Sequence, residues 1–490
     1  MLLSHPASRV NLYFVIAASL LSLVVAGIIA QVSAGIAAGL IVGAILAIAG
    51  VAHYEVLIHA MIVLLPLQSS VPYGLKLLGS FNAFNGLAAV IFGIWVVNAV
   101  LRRERLLNWS GMNFVLVLFV VVCFAALFKS IDFGGTEFME EQVNPFKRWI
   151  TPMLLFFPIA NARFSRPAIK RMVVTVLVML AVVTLWTLKD LYNVGWDEIN
   201  EENRVGGPFG YGAENDLAAF FVYYPVLALT IGLFAKKIQP RLVLLGLFMM
   251  SMIPLLLSFS RGAYLGIAVA LLFVALTRFR WLLPILVVAG VFYESWTPVT
   301  VQQRVSSTQV VSNEVVGGRI PSPNDPERYL EPSAALRMRI WRGAYRIIET
   351  HPFTGIGFGV FPYAIPEYAN MEPQMDAHSE YLLIAAETGM GGLAAFLLVL
   401  GVPFYSMLQI YRTSGDRFIR GWMLGAMGGI CGMAVVNIFG SRFGREELVG
   451  LYWVMLGLTY AYIYLRRNRM ERIAECRFMN ANDATAKITY

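Results

Sequence analysis

The chain has 490 residues, of which 58% are hydrophobic and 14% are charged, with a formal net charge of +8. A soluble domain is about half apolar and roughly a quarter charged, so this composition indicates a membrane protein rather than a globular core in water. Length and composition exclude a disordered chain, a collagen-like chain and a small disulfide scaffold. Three widely spaced cysteines are too few for a disulfide framework or a zinc site.

Apolar stretches of membrane-spanning length recur along the chain, and they predict an all-α polytopic membrane protein with about 12–14 transmembrane helices. The predicted spans are 12–30, 33–51, 54–67, 84–100, 111–128, 149–161, 172–189, 216–235, 242–258, 262–277, 281–294, 390–411, 421–439 and 447–465. Those at 54–67, 149–161 and 281–294 are short, and we expect them to be tilted, broken or re-entrant. The first span is directly followed by a second, which favours a retained helix over a signal peptide.

The distribution of Lys and Arg predicts the orientation, because short cytoplasmic loops are enriched in positive charge. The short basic loops fall on the side of the N-terminus, which places both termini in the cytoplasm and accounts for the net charge without nucleic acid. The predicted regions are N-terminal transmembrane helices at 1–189, transmembrane helices at 190–294 that include an external segment at 190–215, a long, partly helical external loop at 295–389, C-terminal transmembrane helices at 390–465 and a cytoplasmic tail at 466–490.

Two arginines stand in turns on the external side. Arg261 lies within 258–262, a tight turn between two predicted spans, where a charge needs a partner. Its guanidinium either reaches the lipid headgroups or binds an anion at the membrane surface. Arg204 precedes Gly206 and Gly207, which either let a ligand approach the backbone or simply form a turn.

A helix in the long external loop is predicted from Ser333, as its N-cap, to about Thr350. At 100° per residue, Arg337 falls within the apolar stripe of this helix, whereas three other arginines fall on the opposite face and are expected to meet water or headgroups. Those three are Arg339, Arg342 and Arg346. A buried arginine needs a carboxylate or a phosphate, so Arg337 either forms an internal salt bridge or binds a ligand.

His378 is the candidate base. We predict that it lies in the first turn of the next helix, with Asp376 as the N-cap and with Asp376 and Glu380 able to orient the ring. A helix N-terminus disfavours the imidazolium, so the ring would stay neutral and able to accept a proton. A structural histidine and a metal site formed by these three residues are the alternatives.

Five motifs between about 200 and 400 also carry a family resemblance. They are Ser260-Arg261-Gly262 at the start of a span, Arg337-Met338-Arg339-Ile340-Trp341, His351-Pro352-Phe353-Thr354-Gly355-Ile356-Gly357, His378-Ser379-Glu380-Tyr381-Leu382 and Glu387-Thr388-Gly389. In this order they resemble the O-antigen ligase and O-antigen polymerase superfamily of bacterial envelopes.

The resemblance implies a metal-independent, inverting glycosyltransferase of the GT-C type that needs no cofactor and acts on the periplasmic side of the inner membrane. Its donor would be an undecaprenyl-diphosphate-linked glycan and its acceptor a lipid or a glycan, with membrane lipids and other polysaccharide assembly proteins as further partners. Arg261 and Arg337 would hold the diphosphate, and His378 would activate the acceptor hydroxyl or bind the diphosphate. The other residues expected to contact the substrate are Arg204, Arg339, Glu380 and Trp341.

Two versions of this activity stay open from the sequence. A polymerase passes the glycan to the next lipid-linked repeat unit, whereas a ligase passes it to lipid A-core or to a protein. We favour the polymerase, because no segment marks a dedicated acceptor domain. A glycolipid flippase would need ionisable residues deep within its spans, and the predicted spans contain almost none. A membrane scaffold or sensor would not need arginines and a histidine on one surface.

Overall fold

The computed structural model describes residues 45, 48–50, 53–70, 83–103, 105–196, 198–306, 330–371 and 375–486. No β-strand occurs within these residues, and the predicted all-α polytopic fold class is confirmed. The predicted spans at 12–30 and 33–51 lie almost entirely outside the described residues.

The first helices are α1 (Tyr54–Leu64), α2 (Ala83–Leu101), α3 (Gly111–Lys129), α4 (Ile131–Leu154), α5 (Phe156–Asn161), α6 (Arg166–Val194), α7 (Glu214–Phe234), α8 (Ile238–Leu256) and α9 (Arg261–Thr277). The remaining helices are α10 (Leu282–Val291), α11 (Tyr293–Trp296), α12 (Val299–Ser306), α13 (Pro332–Thr350), α14 (Phe361–Ala369), α15 (Glu380–Thr413), α16 (Arg417–Val436) and α17 (Glu446–Ala486). Short 3-10 helices occupy Leu65–Ser70 and Gly207–Phe209.

Eight of the described helices are long and apolar enough to cross a membrane: α2, α3, α6, α7, α8, α15, α16 and the Glu446–Asn468 part of α17. Each matches a predicted span. Three further apolar helices are shorter, at Tyr54–Ser70, α9 and α10. The predicted span at 149–161 is divided between the end of α4 and the short α5. The last helix does not end at the predicted tail boundary of Arg466 but continues to Ala486.

The chain divides into two compact units, which are described separately. The first comprises Met1–Met61 and Val71–Glu104. In its described part, Tyr54 Oη of α1 donates a hydrogen bond of 3.1 Å to the Ile91 carbonyl of α2. The second comprises Ile62–Ser70 and Arg105–Tyr490, and it contains every residue of the site described below.

Helix α7 forms the centre of the second unit, and all its side chains from Asp216 to Gly232 are buried. Helices α8, α9 and α16 pack around it. Close approach is possible because α16 presents glycines to its neighbours: a Cβ at Gly432 would lie 3.0 Å from the Gly266 carbonyl of α9, and a Cβ at Gly421 would lie 2.8 Å from Ile231 Cα of α7. Small residues at helix crossings are the usual means of close packing in membranes.

The glycine-rich turn Gly355–Gly359, between α13 and α14, is hydrogen-bonded to α15 and α3. Ile356 N and Gly357 N donate to the carbonyls of Ala386 (2.9 Å) and Glu387 (3.1 Å), and Phe358 N donates to Ala126 O (2.8 Å). Gly355, Gly357 and Gly359 all have positive φ. This run is therefore a structural turn.

The partner of this turn is a break in α15 at Gly389, where φ is 76° and the helix bends. A Cβ at Gly389 would collide with the Phe353 carbonyl, whereas a Cβ at Gly391 would meet nothing within 4 Å. The break separates the start of α15, from Glu380, from the predicted span, which starts at 390.

We therefore expect Gly389→Ala to destabilise the protein by about 1–3 kcal/mol, because the alanine would adopt a left-handed conformation and clash with backbone. Thermal unfolding of the purified protein in detergent measures the effect. Gly391→Ala, two residues along the same helix, is the control and should leave the melting temperature unchanged or slightly raised. Equal melting temperatures for the two variants would show that the break does not matter for stability.

Candidate anion-binding site

A cavity of about 520 Å³ lies at one end of the helix bundle. Its wall comes from the segment before α7, the α8–α9 turn, α12, α13 and the α16–α17 turn. The charged residues that line it are Glu201, Arg204, Arg261, Arg304, Arg337 and Arg442. Its apolar wall includes Phe259, Leu265, Met338, Val436 and Phe439. Five guanidinium groups from five separate segments thus converge on one space.

Arg261 is positioned by the α8–α9 turn. The turn closes with Phe259 in the left-handed region, at φ 51°, and with its ring buried. Arg261 is the first residue of α9, and its Nη2 lies 2.6 Å from Glu331 Oε2. The predicted partner of this arginine is thus found in the protein, although the guanidinium still lines the cavity.

Glu331 holds three elements together. Its Oε1 lies 3.2 Å from Arg304 Nη1, and its Oε2 accepts from Ala334 N at the start of α13. Glu331 is therefore the N-cap of this helix, and the expectation that Ser333 is the cap is wrong. Burial alone would raise the pKa of Glu331, but hydrogen bonds and charge from the two arginines outweigh it and lower the pKa.

Arg337 has no such carboxylate. Among the described residues its hydrogen-bond partner is Ser333 Oγ, at 2.8 Å, no carboxylate oxygen lies within 4.0 Å, and its Nε is buried without a partner. Burial is the largest cause of a lowered pKa for Arg337; the positive charge of Arg261 adds to it, the negative charge of Glu331 opposes it, and the positive charge of Arg442 adds to it again. The guanidinium is thus held in an unfavourable environment that an anion would relieve.

The predicted exposure of the arginines of α13 is only partly correct. Arg342 and Arg346 are exposed, as expected, but Arg339 is 3% exposed, so the expectation that it faces water is wrong. One turn along the same face, Gly343 has no side chain, and a Cβ there would touch Ile365 and Ala369. Helix α14 therefore packs on this face, so the buried part of the surface of α13 extends beyond its apolar side chains. Arg339 is not among the residues that line the cavity.

Arg204 enters the cavity from the segment before α7. Its Nη1 donates to Asn215 Oδ1 at 3.2 Å, and it forms no ion pair within the described part of the chain. The glycines that follow serve the turn: a Cβ at Gly207, where φ is 55°, would lie 2.6 Å from Thr187 Oγ1. Of the two readings of this motif, the structure supports the turn for the glycines and places the arginine itself in the cavity.

Asp216, Arg442 and Arg445 form an ion-pair cluster that the sequence analysis missed. Asp216, 5% exposed in the first turn of α7, lies 2.9 Å from Arg442 Nη1 and 2.8 Å from Arg445 Nε. Arg442 also has a buried Nε without a hydrogen-bond partner among the described residues. A sequence signal existed for Arg442, though not for its pairing with Asp216, because Arg442 stands in a short turn between two spans, as Arg261 does.

Asp216→Ala should destabilise the protein by about 3 kcal/mol, because the guanidinium groups of Arg442 and Arg445 would lose their buried counter-ion. Arg445→Ala is the matched comparison and should be milder, since Arg445 is 40% exposed and Asp216 keeps Arg442. Melting temperatures of both variants in the same detergent check the order. The reverse order would mean that Arg445 is the main partner of Asp216.

His378 is not among the residues that line the cavity, and it does not lie in a helix. Helix α15 begins at Glu380 with Ser379 as its N-cap, so the expectation that Asp376 caps it and that His378 occupies the first turn is wrong. His378 has φ 46°, and its backbone N donates to Asp376 Oδ2 at 3.1 Å. Trp341 lines the cavity and donates from Nε1 to Ala377 O at 3.2 Å, which fixes this segment against α13.

The ring of His378 is half-buried, with Nδ1 3.7 Å from Asp376 Oδ2. Burial is the main cause of a lowered pKa for His378; Asp376 opposes the change, and the charges of Arg337 and Arg442 reinforce it. Glu380 does not line the cavity: it is buried and accepts a hydrogen bond of 3.0 Å from Phe443 N. No metal-binding group of three or more His, Cys, Asp or Glu side chains forms within the described residues, so Asp376, His378 and Glu380 do not make one.

Fold and cavity together define a class: a polytopic helical membrane protein with an arginine-lined cavity at one end of its bundle. Residues 245–397 match the family model described as O-antigen ligase. This match confirms the resemblance to the O-antigen ligase and polymerase superfamily and supports a membrane enzyme of that type. It covers Arg261, Arg304 and Arg337, whereas Arg204 and Arg442 lie outside it. A search of curated proteins gives no match to the chain.

Proposed function

We propose that this protein is a glycosyltransferase of the inner membrane that transfers or polymerises an undecaprenyl-diphosphate-linked glycan on the periplasmic side. The observation that carries the proposal is the pair Arg204 and Arg337, which line the cavity without an ion-pair partner among the described residues. A diphosphate diester carries a negative charge on each phosphate and suits two guanidinium groups that lack a carboxylate. The apolar wall beside them suits the isoprenoid chain.

Transfer would proceed as a single displacement. The acceptor hydroxyl attacks the anomeric carbon, the bond from that carbon to the diphosphate oxygen breaks, and the configuration inverts. Negative charge grows on the leaving diphosphate, where Arg337 and Arg261 stabilise it. His378, neutral at pH 7, takes the acceptor proton, a contribution of typically 10²–10⁴-fold. Arg204 and Trp341 complete the contacts, and the reaction needs no metal ion.

The distribution of charge supports the periplasmic placement. The basic residues Lys236, Lys237, Arg278, Arg280 and Arg412 stand at the ends of α7, α9 and α15 that point away from the cavity. Because positive loops are retained in the cytoplasm, the cavity end would face the periplasm.

In vitro turnover tests the proposal. The purified full-length protein, given a short lipid-diphosphate glycan without nucleotide, should release undecaprenyl diphosphate and form an extended or transferred glycan, and a chelator should not stop it. Failure to release the diphosphate with a glycan accepted by other enzymes of this type would contradict the proposal.

The acceptor separates the two versions of this activity. We favour the polymerase, with ligation to lipid A-core or to a protein as the alternative. Gel profiles of surface glycan from a deletion strain distinguish them, because loss of chain length indicates a polymerase and stranded full-length polymer indicates a ligase.

A further inference from the structure

A second cavity, of about 540 Å³, lies at the opposite end of the bundle from the arginine cavity. It is an open groove between α6 and α8, with the end of α7 as its floor and the start of α16 at its mouth. Apolar side chains line its length: Val174, Leu177, Val178, Ala181, Ile231, Phe234, Val243, Leu244 and Leu247. Its charged residues are Lys236, Lys237 and Arg417.

The groove has a closed end and an open end. Helices α6 and α8 meet where Thr184 Oγ1 and Ser251 Oγ lie 3.0 Å apart, and the groove opens from there toward Lys237. From Leu247 to Lys237 the rise of α8 is about 15 Å, the thickness of the hydrocarbon of one leaflet. Val178 and Val243 on its two edges are more than half exposed, so the groove opens sideways toward lipid.

The charge at the mouth is not neutralised by the protein. Lys236, Lys237 and Arg417 form no ion pair within the described part of the chain. The nearby carboxylate, Asp416, is already bound by Arg166 and by Lys170, the latter at 2.6 Å, and so does not compensate them. The exposed backbone N–H groups at the start of α8, which has no side-chain cap, add positive potential at the same place.

We propose that this groove binds one anionic glycerophospholipid, with an acyl chain along the apolar floor and the phosphate at Lys236, Lys237 and Arg417. An apolar groove of leaflet depth that ends in three basic groups matches such a molecule in both its parts. The three cations also favour an anionic lipid over a zwitterionic one, since a zwitterionic headgroup would leave their charge uncompensated. The site is separate from the arginine cavity and does not depend on the activity proposed for it.

Native mass spectrometry of the delipidated full-length protein tests the site, with phosphatidylglycerol or phosphatidylcholine of identical acyl chains added back. We expect one phosphatidylglycerol to bind with about tenfold preference over phosphatidylcholine. The triple variant Lys236→Gln, Lys237→Gln, Arg417→Gln should lose this preference. The control variant Arg278→Gln, Arg280→Gln, Arg412→Gln removes the same charge from the same end outside the groove and should keep it.

A second variant tests the apolar part of the groove. Ala181→Phe fills the closed end of the groove and should weaken phosphatidylglycerol binding although all three cations remain, with correct folding checked by size-exclusion chromatography. Equal binding of the two phospholipids by the wild type, equal loss in both triple variants, or preferential retention of undecaprenyl phosphate over phosphatidylglycerol would each overturn the proposal.

Discussion

Arg337→Ala is expected to abolish glycan transfer while leaving the protein at least as heat-stable as the wild type. The loss should be about 100-fold or more, because in the proposed reaction the guanidinium would stabilise charge that develops on the leaving diphosphate. Stability should not fall, because within the described residues the side chain donates to Ser333 and has no carboxylate partner. Its removal relieves repulsion from Arg261 and Arg442 and gives up attraction to Glu331, which keeps its ion pairs with Arg261 and Arg304. The role of Arg337 would thus be to bind the ligand rather than to stabilise the fold.

Turnover of a lipid-diphosphate glycan and melting temperature, measured on the same preparation, check this result. Arg342→Ala is the control, since Arg342 is on the same helix but exposed and outside the cavity. Arg339→Ala is a second comparison: its burial means that it should lower the melting temperature, unlike Arg337→Ala. A marked loss of stability in Arg337→Ala, or unchanged turnover, would refute the proposed role.

The second large effect concerns His378. His378→Ala should reduce turnover by about 10²–10⁴-fold if the ring is the base. In the wild type, the pKa of His378 is lowered from its ordinary 6.5, chiefly by burial. A base acts in its neutral form, so kcat/KM should persist as the pH falls through 6.5 and decline only when it passes the lowered pKa. In the donor complex, the negative diphosphate favours the imidazolium, so kcat should decline at a higher pH than kcat/KM.

Asp376→Asn separates this role from a purely structural one. Asp376 raises the pKa of His378, so its neutralisation should move the acid limb of kcat/KM to still lower pH. Glu367→Gln, which removes an exposed negative charge from α14 in the same segment between α13 and α15, should leave the limb in place. An acid limb that does not respond to Asp376→Asn would show that another group controls it.

The membrane-spanning helices could be predicted because length and hydropathy determine them locally. Arg261 and Arg337 were found by the same kind of local signal, a charge in a tight turn between two spans or within an apolar stripe. Asp216 could not be found in this way, since its partner Arg442 is 226 positions away in the chain. Pairings of that kind depend on which helices pack together, and hydropathy does not encode this.

The errors also have local physical causes. The start of α15 was predicted too early because Asp376 has the residue type of an N-cap, whereas its carboxylate binds the His378 backbone in a non-helical turn. The burial of Arg339 was missed because a helical wheel ranks residues by their own polarity. Gly343 admits a second helix on that side, and a neighbour of this kind is invisible in the pattern.

Glu331 has a consequence for exchanging parts between proteins of this type. One carboxylate caps α13 and binds both Arg261, from the membrane bundle, and Arg304, from the segment before the helix. A chimaera that imports α13 would have to import this carboxylate in register. Otherwise the helix would lose its N-cap, and Arg261 and Arg304 would lose their counter-ion. Helix α13 can therefore be exchanged only as part of a segment that starts at or before Arg304.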